Sequence, residues 1–368
     1  MTMLVPELKQ VLIISPELWD GHFVSKHHYA ATLAETGSHV YFLDPPDNSL
    51  SNTKINKTKY KNLWQVKAPK VAKGLRFYPS FLRNRIEGKW VEKLEAQIGS
   101  GFTTIWLFEN SRFYDMNFAK DKLKIYHQVD LNQNFHEITA AKTADLVLCT
   151  TDYIKKILQP HCKSIYKQHH AVTSYNVVSL PENYKQLINT KNINAAYIGN
   201  LEMKYLDIEL LVSVVKNFPQ VIFHFVGTCT KKEALYSACE GLDNAIWWGR
   251  VDSSVIPAIL NNIDLLLLTY QADHYHDQAS PHKVMEYLFS GKVTVATYTD
   301  EYKDKRELLE MVDDNRDYLS KFNDVISNLV HYNSVEMQNQ RKAFAREHTY
   351  EKQLNKVVAH LKTNNLID

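Results

Sequence analysis

Short runs rich in aliphatic, β-branched and aromatic residues recur along this chain, each parted from the next by an amphipathic stretch of helical length. Parallel strands need a crossover between them and a helix is the usual one, so the alternation calls for parallel sheets. The runs form two series. Val11 to Ile14, Val40 to Leu43, Thr104 to Phe108, Lys124 to Tyr126 and Leu146 to Cys149 make the first. Ala195 to Ile198, Val221 to Val226, Ala245 to Trp248, Asp264 to Thr269 and Val293 to Ala296 make the second. Between them Thr173 to Lys191 is polar, holds Pro181 and lacks a clear period, as a linker does. A chain of 368 residues, 45% hydrophobic, can fill two domain cores, whereas one domain of that length would be unusually large. The expected class is α/β, with doubly wound domains at residues 1–172 and 191–335, a linker at 173–190, and closing helices at 336–368. Such sheets bind ligands beyond the carboxyl ends of their strands.

Composition narrows the function classes. The formal net charge of +2 argues against a general nucleic-acid binder. Cys149, Cys162, Cys229 and Cys239 form no CxxC pair, so neither a zinc knuckle nor a disulfide framework is supported, and a reduced cytoplasm is the simplest setting. Met1 to Gln10 lacks the basic and apolar regions of a signal peptide, and aliphatic runs such as Leu265 to Leu268 are too short to span a bilayer. Any membrane contact is then peripheral, on the inner face. The stretch from Lys54 to Lys93 suits one: Lys54, Lys57, Lys59, Lys61, Lys67, Lys70, Lys73, Arg76, Arg83 and Arg85 surround Tyr60, Trp64, Phe77, Tyr78, Phe81 and Trp90. Solvated charges over ordinary core aromatics fit the same stretch.

Ser280 to Thr297 reads as a helix aimed at an anion and followed at once by a buried strand. Ser280 is a preferred N-cap and Pro281 suits the first helical position, so free N–H groups and the positive end of the dipole would face a ligand. Lys283 and Glu286 are three apart, hence on one face, with Lys283 in reach of a phosphate and Glu286 able to accept from two ribose hydroxyls. A solvated ion pair accounts for that spacing equally well. Val284, Tyr287 and Leu288 would cover the core, and Gly291 would end the helix.

This segment resembles the donor-binding signature of retaining glycosyltransferases of the GT-B fold. The resemblance runs through most of the second series. Tyr197-Ile198-Gly199-Asn200-Leu201 is similar to the family's opening strand and glycine turn, and Phe225-Val226-Gly227 to its next strand end. Trp248-Gly249-Arg250-Val251, then Val255 to Leu260 and Asp264 to Leu268, resemble the stretch whose loop holds the nucleotide base. The resemblance implies two Rossmann-like domains facing each other across a cleft, the last helix crossing back to the first domain. Phe344, Ala345, Tyr350, Leu354, Val357, Val358 and Leu361 supply that tail with an apolar face, which a dimer interface would also use.

The first domain has parts of its own. Ser15 to Tyr29 follows the first strand, and its polar and aromatic residues, Trp19, Gly21, His22 and Lys26 among them, suit the acceptor side; Trp19 and Phe23 could instead anchor the loop. Lys124 to Asp130 resembles the family segment that sets a His or Asp beside the donor sugar, which makes His127 and Asp130 candidates for catalysis together with Lys283. Ala144 to Ile154 resembles scaffold. Gln168 to Val172 stands where the family has an Asn-Gly-Val-Asp-like turn, without its glycine, and reads as a connector.

Departures from the pattern mark where donor recognition differs. Eight positions before Glu286, where many relatives carry a second glutamate, stands Gln278, preceded by Asp277. Asn200 stands where Arg is common, leaving Lys204 or Lys283 for the phosphates, although Lys204 also fits an exposed helix start. The resemblance therefore implies donor contacts from Gly199, Lys204, Gly227, Arg250, Val251, Asp277, Gln278, Ser280, His282 and Glu286. It implies transfer from a nucleotide-diphosphate sugar to a glycan or lipid-linked acceptor, with retention, in surface-polysaccharide synthesis, and no cofactor or metal. Asp273-His274-Tyr275-His276-Asp277 alternates metal-ligand types but has no further ligand cluster, and positioning the sugar is the better reading. An epimerase on the same fold and a silent nucleotide-sugar-binding subunit are the rivals.

Overall fold

The computed structural model describes residues 8–131, 135–175, 179–188, 190–231, 233–274 and 280–367. The chain divides into two compact units, one of Met1–His169 with Tyr350–Asp368 and the other of His170–Thr349. The sequence expectation set the linker at 173–190 and the closing helices from 336. The division falls earlier in one place and later in the other. Leu180 is buried in a second-unit cluster with Tyr184, Leu187 and Ile188 packed on it, so apolar contact binds this aperiodic stretch to that unit. The helix Val335–Arg346 likewise buries Ala345 against second-unit residues, and only the helix Tyr350–Thr363 returns to the first unit.

The first unit holds an eight-stranded sheet: β1 (Gln10–Ile14), β2 (His39–Leu43), β3 (Lys54–Lys57), β4 (Leu63–Lys67), β5 (Thr104–Leu107), β6 (Leu123–Gln128), β7 (Leu146–Cys149) and β8 (Ile165–Lys167). Their order is β3-β4-β2-β1-β5-β6-β7-β8, parallel except for the β3–β4 hairpin. The strands β1, β2, β5 and β7 are buried almost throughout, as central strands covered on both faces must be. Tyr350 on the returning helix meets Tyr29 edge-on at 5.0 Å and stacks on His28 at 4.8 Å between centroids, which ties that helix to Ser25–Glu35.

The second unit has six parallel strands: β9 (Ile193–Ile198), β10 (Val221–Val226), β11 (Ala245–Gly249), β12 (Leu265–Leu268), β13 (Val293–Ala296) and β14 (Glu310–Met311), ordered β11-β10-β9-β12-β13-β14. In both units the strand order reverses beside the first strand. β1 lies between β2 and β5, and β9 between β10 and β12. These are the switch points at which the crossing helices leave opposite faces and a crevice opens at the carboxyl ends of the strands.

Candidate functional site

At the second unit's switch point the backbone turns sharply after β9 and after β10. Gly199 has φ +140° and Gly227 φ +148°, a region that glycine alone adopts readily. The two turns press together: a Cβ on Gly227 would lie 1.8 Å from the Gly199 carbonyl oxygen, and one on Gly199 would lie 2.7 Å from Lys283 Nζ. Backbone bonds fix the stack, Gly199 N–H donating to Val226 O at 2.8 Å and Gly227 N–H to Gly249 O at 2.9 Å.

Lys283 opens the helix Lys283–Ser290, which follows β12. Its ammonium donates to the Tyr197 hydroxyl at 2.6 Å and lies 3.9 Å from the centroid of that ring, with the Tyr270 ring 5.7 Å away. Desolvation pushes this lysine down to about 7, and the negative charge of Glu286 works the other way. Tyr287, on the same helix, is fully buried; its hydroxyl accepts from Ile198 N–H at 2.9 Å and donates back to Ile198 O at 3.3 Å. The helix start is thereby fastened to the end of β9. An amine on a short tether stands over a turn without side chains, where an incoming anion such as a diphosphate would favour its charged form.

The cap differs from the sequence expectation. The helix begins at Lys283 with His282 as its N-cap residue, not at Pro281 after a Ser280 cap. Val284 N–H already bonds Pro281 O at 3.1 Å and Met285 N–H bonds His282 O at 3.2 Å, so the first turn spends donors that were expected to be free. Ser280 is buried, its hydroxyl without a hydrogen-bond partner among the described residues, and His282 meets His170 edge-on at 5.3 Å. Glu286 is partly exposed; burial raises the Tyr175 phenol, and the charge of Glu286 adds to the shift. Lys204 lies in the turn before the helix Ile208–Asn217, whose cap is Asp207, and its ammonium rests 4.6 Å over the Tyr205 ring. Arg250 is exposed beyond β11, while Val251 packs against a core cluster. Asp277 and Gln278, with Tyr275 and His276 of the alternating run, lie outside the described residues.

In the first unit most of the singled-out groups are engaged. Trp19 is buried against Phe23, Phe42 and Tyr60, and its backbone N–H donates to Asp44 Oδ1 at 2.9 Å. Lys26 is 4% exposed and ion-paired with Glu17. Gly21 and His22 are exposed, Gly21 N–H closing a turn onto Leu18 O at 3.0 Å. His127 is 2% exposed on β6, packed against Tyr29, Trp106 and Phe108. Burial, with the Lys26 charge adding to it, pushes it down to about 3, so it is neutral at physiological pH, and its Nδ1 has no hydrogen-bond partner among the described residues. Asp130 is exposed two residues past the end of β6.

Tyr197 and Tyr287 were missed as site residues because each reads as an ordinary core position of its strand or helix. Arg112 was missed too: it bonds Glu109 at 2.5 Å, Ser15 O at 2.8 Å and Asp44 O at 2.9 Å, closing the loops at the first unit's switch point. A buried chain in the second unit is scaffold. Trp248 Nε1–H donates to His224 Nδ1 at 3.0 Å, and His224 Nε2 lies 3.0 Å from Asn194 Oδ1; desolvation pushes this histidine down to about 4.

Residues 193–330 match the model of the Glycosyl transferases group 1 family. Over 168 residues the chain is 26% identical to TuaH of Bacillus subtilis (strain 168), provisionally named a teichuronic acid biosynthesis glycosyltransferase. That match takes in 44% of this chain and 42% of TuaH, so it spans less than half of the relative's length. Among solved structures, Anabaena HepE in complex with UDP and glucose is similar with a TM-score of 0.68 at 13% identity, over 96% of this chain and 99% of that one. WaaG, a glycosyltransferase involved in lipopolysaccharide biosynthesis, gives 0.61 at 13% identity over 94% and 98%. Sucrose-phosphate synthase from Thermosynechococcus elongatus gives 0.67 at 13% identity over 97% and 100%. At such identities these likenesses speak for the fold. The fold is that of GT-B-like glycosyltransferases, and within it residues 193–330 of the second unit are the part that matches the group 1 family model.

Proposed function

We propose that this chain is a glycosyltransferase that moves a sugar, with retention, from a nucleotide-diphosphate sugar to a glycan or lipid-linked acceptor in cell-surface polysaccharide synthesis. The observation that carries the reading is Lys283 held over Tyr197 beside the Gly199 and Gly227 turns, inside the stretch that matches the family. Departure of the diphosphate develops negative charge, and a positioned ammonium in a desolvated turn stabilises it more than water would. Glu286 then takes the ribose hydroxyls, and Ser280 and His282 line the approach to the phosphates. A histidine held neutral, as His127 is, exchanges hydrogen bonds with sugar hydroxyls but offers no charge to a leaving group. The catalytic cation in this reading is Lys283.

No helix among the described residues is long and apolar enough to cross a membrane. Peripheral contact with an anionic membrane through residues 54–93 belongs to the same reading, since a lipid-linked acceptor lies at such a surface. The test is a panel of nucleotide sugars, with thermal stabilisation and nucleoside diphosphate release followed together without added metal. Release with one donor supports transfer. Stabilisation without release in the presence of glycan acceptors favours the silent binding subunit, to which Asn200 in place of the common arginine points. No response to any nucleotide sugar overturns the reading.

A further inference from the structure

The basic and aromatic stretch at 54–93 separates into two parts, one with its aromatic rings packed inward and one with them exposed. In the hairpin β3–β4 the aromatic rings are turned inward: Trp64 stacks on Tyr41 at 4.9 Å, and Tyr60 meets Trp19 edge-on at 6.0 Å. Its lysines at 54, 57, 59 and 61 are exposed, but they surround no exposed aromatic ring. In the next segment the rings are outside. Phe77 is 76% exposed, Tyr78 39%, Phe81 74% and Leu82 36%, whereas elsewhere among the described residues exposed large apolar side chains come singly or, as with Val330 and Val335, in twos. Four such residues within six positions exceed the scatter that a soluble surface normally carries.

Charge tells what covers them. From Lys70 to Lys89 the exposed charged residues are Lys70, Lys73, Arg76, Arg85 and Lys89, all positive, and the sole carboxylate of that stretch, Glu87, is buried. The helix Ser80–Ile98 carries Phe81, Arg85 and Lys89 at four-residue spacing, so an apolar tip passes into a basic stripe on one face. Its inner face is pinned: Arg83 donates to Tyr114 Oη at 2.7 Å and pairs with Asp115 at 3.4 Å, and Asn84 donates to Asp115 at 2.9 Å. The tip is presented by a rigid support. Aromatic rings that enter the headgroup boundary, ringed by cations that stay in the headgroups, match an anionic bilayer surface; an acidic peptide would leave the rings wet.

We infer that Phe77, Tyr78, Phe81 and Leu82 form a wedge that inserts into the surface of anionic lipid bilayers, with Lys70, Lys73, Arg76, Arg85 and Lys89 as its cationic rim. This rests on, and sharpens, the peripheral-membrane part of the proposed function, placing contact on the wedge and not on the hairpin. The test is co-sedimentation of the full chain with phosphatidylcholine vesicles, with and without a third of phosphatidylglycerol. Two variants are compared, Phe77→Ser with Phe81→Ser, and Lys54→Glu with Lys57→Glu and Lys59→Glu; all the changed side chains are exposed or at a strand edge, and melting curves check the fold. The expected result is binding to the anionic vesicles only, weakened tenfold or more in the wedge variant, changed less than threefold in the hairpin variant, and falling with added salt. Loss in the hairpin variant with retention in the wedge variant overturns the inference and leaves peripheral contact standing. Absence of binding by the unaltered chain overturns both, and donor release still decides transferase activity on its own. Self-association of the unaltered chain, abolished by the wedge substitutions, would assign the wedge to a second copy and overturn the inference.

Discussion

The two switch points carry similar elements and spend them differently. Beyond β1, the loop to Val24 is filled: Trp19 lies among rings, Lys26 is bound to Glu17, and Arg112 closes Ser15 and Asp44. Beyond β9, the side chains are absent at Gly199 and Gly227, and Lys283 is tethered to a hydroxyl and a ring, with no carboxylate bonded to it among the described residues. The same architecture thus fills one end with paired side chains and leaves at the other two bare turns beside a lysine, the end that takes the diphosphate in the proposed reading. A lysine beside a strand end says little until its counter-ion is known.

Substituting the glycines tests this contrast most severely. Gly227→Ala forces a Cβ onto the Gly199 carbonyl in a backbone region hostile to side chains, and should cost about 3 kcal/mol or more, read as a lowered urea midpoint of the second unit. Gly21→Ala in the first unit meets Leu18 O at 3.0 Å with ordinary φ, and should cost about 1 kcal/mol or less. Equal losses would erase the distinction between the two ends.

Much of this was legible from sequence. All ten expected strands occur, because continuous apolar runs such as Leu265 to Leu268 have nowhere to go except between two layers of helix. The hairpin β3–β4 and the short edge strands β8 and β14 were not foreseen: lysines at the edge break alternation, and three or two residues carry no period. Lys283, Gly199 and Gly227 were named as site residues from their motifs, and the structure brings them together. Nothing in the sequence distinguished a lysine that ends in an ion pair, Lys26, from one that does not, since the partner Glu17 depends on how the loop folds. Tyr197 was hidden for a similar reason, its hydroxyl being a functional atom on a ring that reads as core.

Tyr197→Phe keeps the ring beneath Lys283 and removes its hydroxyl, so nucleoside diphosphate affinity should fall about tenfold, an effect of the size of one charge-assisted hydrogen bond, with melting little changed. Isothermal titration would measure it. An unchanged affinity would mean that the ring alone positions the lysine.

Proton linkage provides a subtler difference. In the ligand-free fold Lys283 is held to about 7 against its ordinary 10.5. Between those values the unfolded chain keeps a proton that the folded chain has lost, so this group makes stability rise with pH from about 7 to 10.5, and the rise should flatten in Lys283→Met. A bound diphosphate restores the charge, so binding at pH 8 should take up a fraction of a proton, measured by calorimetry in buffers of different ionisation enthalpy. In the first unit His127 behaves in the opposite pH range. Held to about 3 against 6.5, it is neutral in the fold while the unfolded chain protonates, so its contribution is lost as pH falls from about 6.5 towards 3, and His127→Leu should flatten that acid slope while changing nucleotide affinity less than threefold.

The most direct measurement is donor turnover in Lys283→Ala beside Lys26→Ala, once a donor has been found. Nucleoside diphosphate release should fall about 10²- to 10³-fold in Lys283→Ala with its melting temperature held, and Lys26→Ala should lose stability before it loses turnover. Turnover surviving in Lys283→Ala and vanishing in a folded Lys26→Ala would contradict this, placing the working cation at the first unit's filled end.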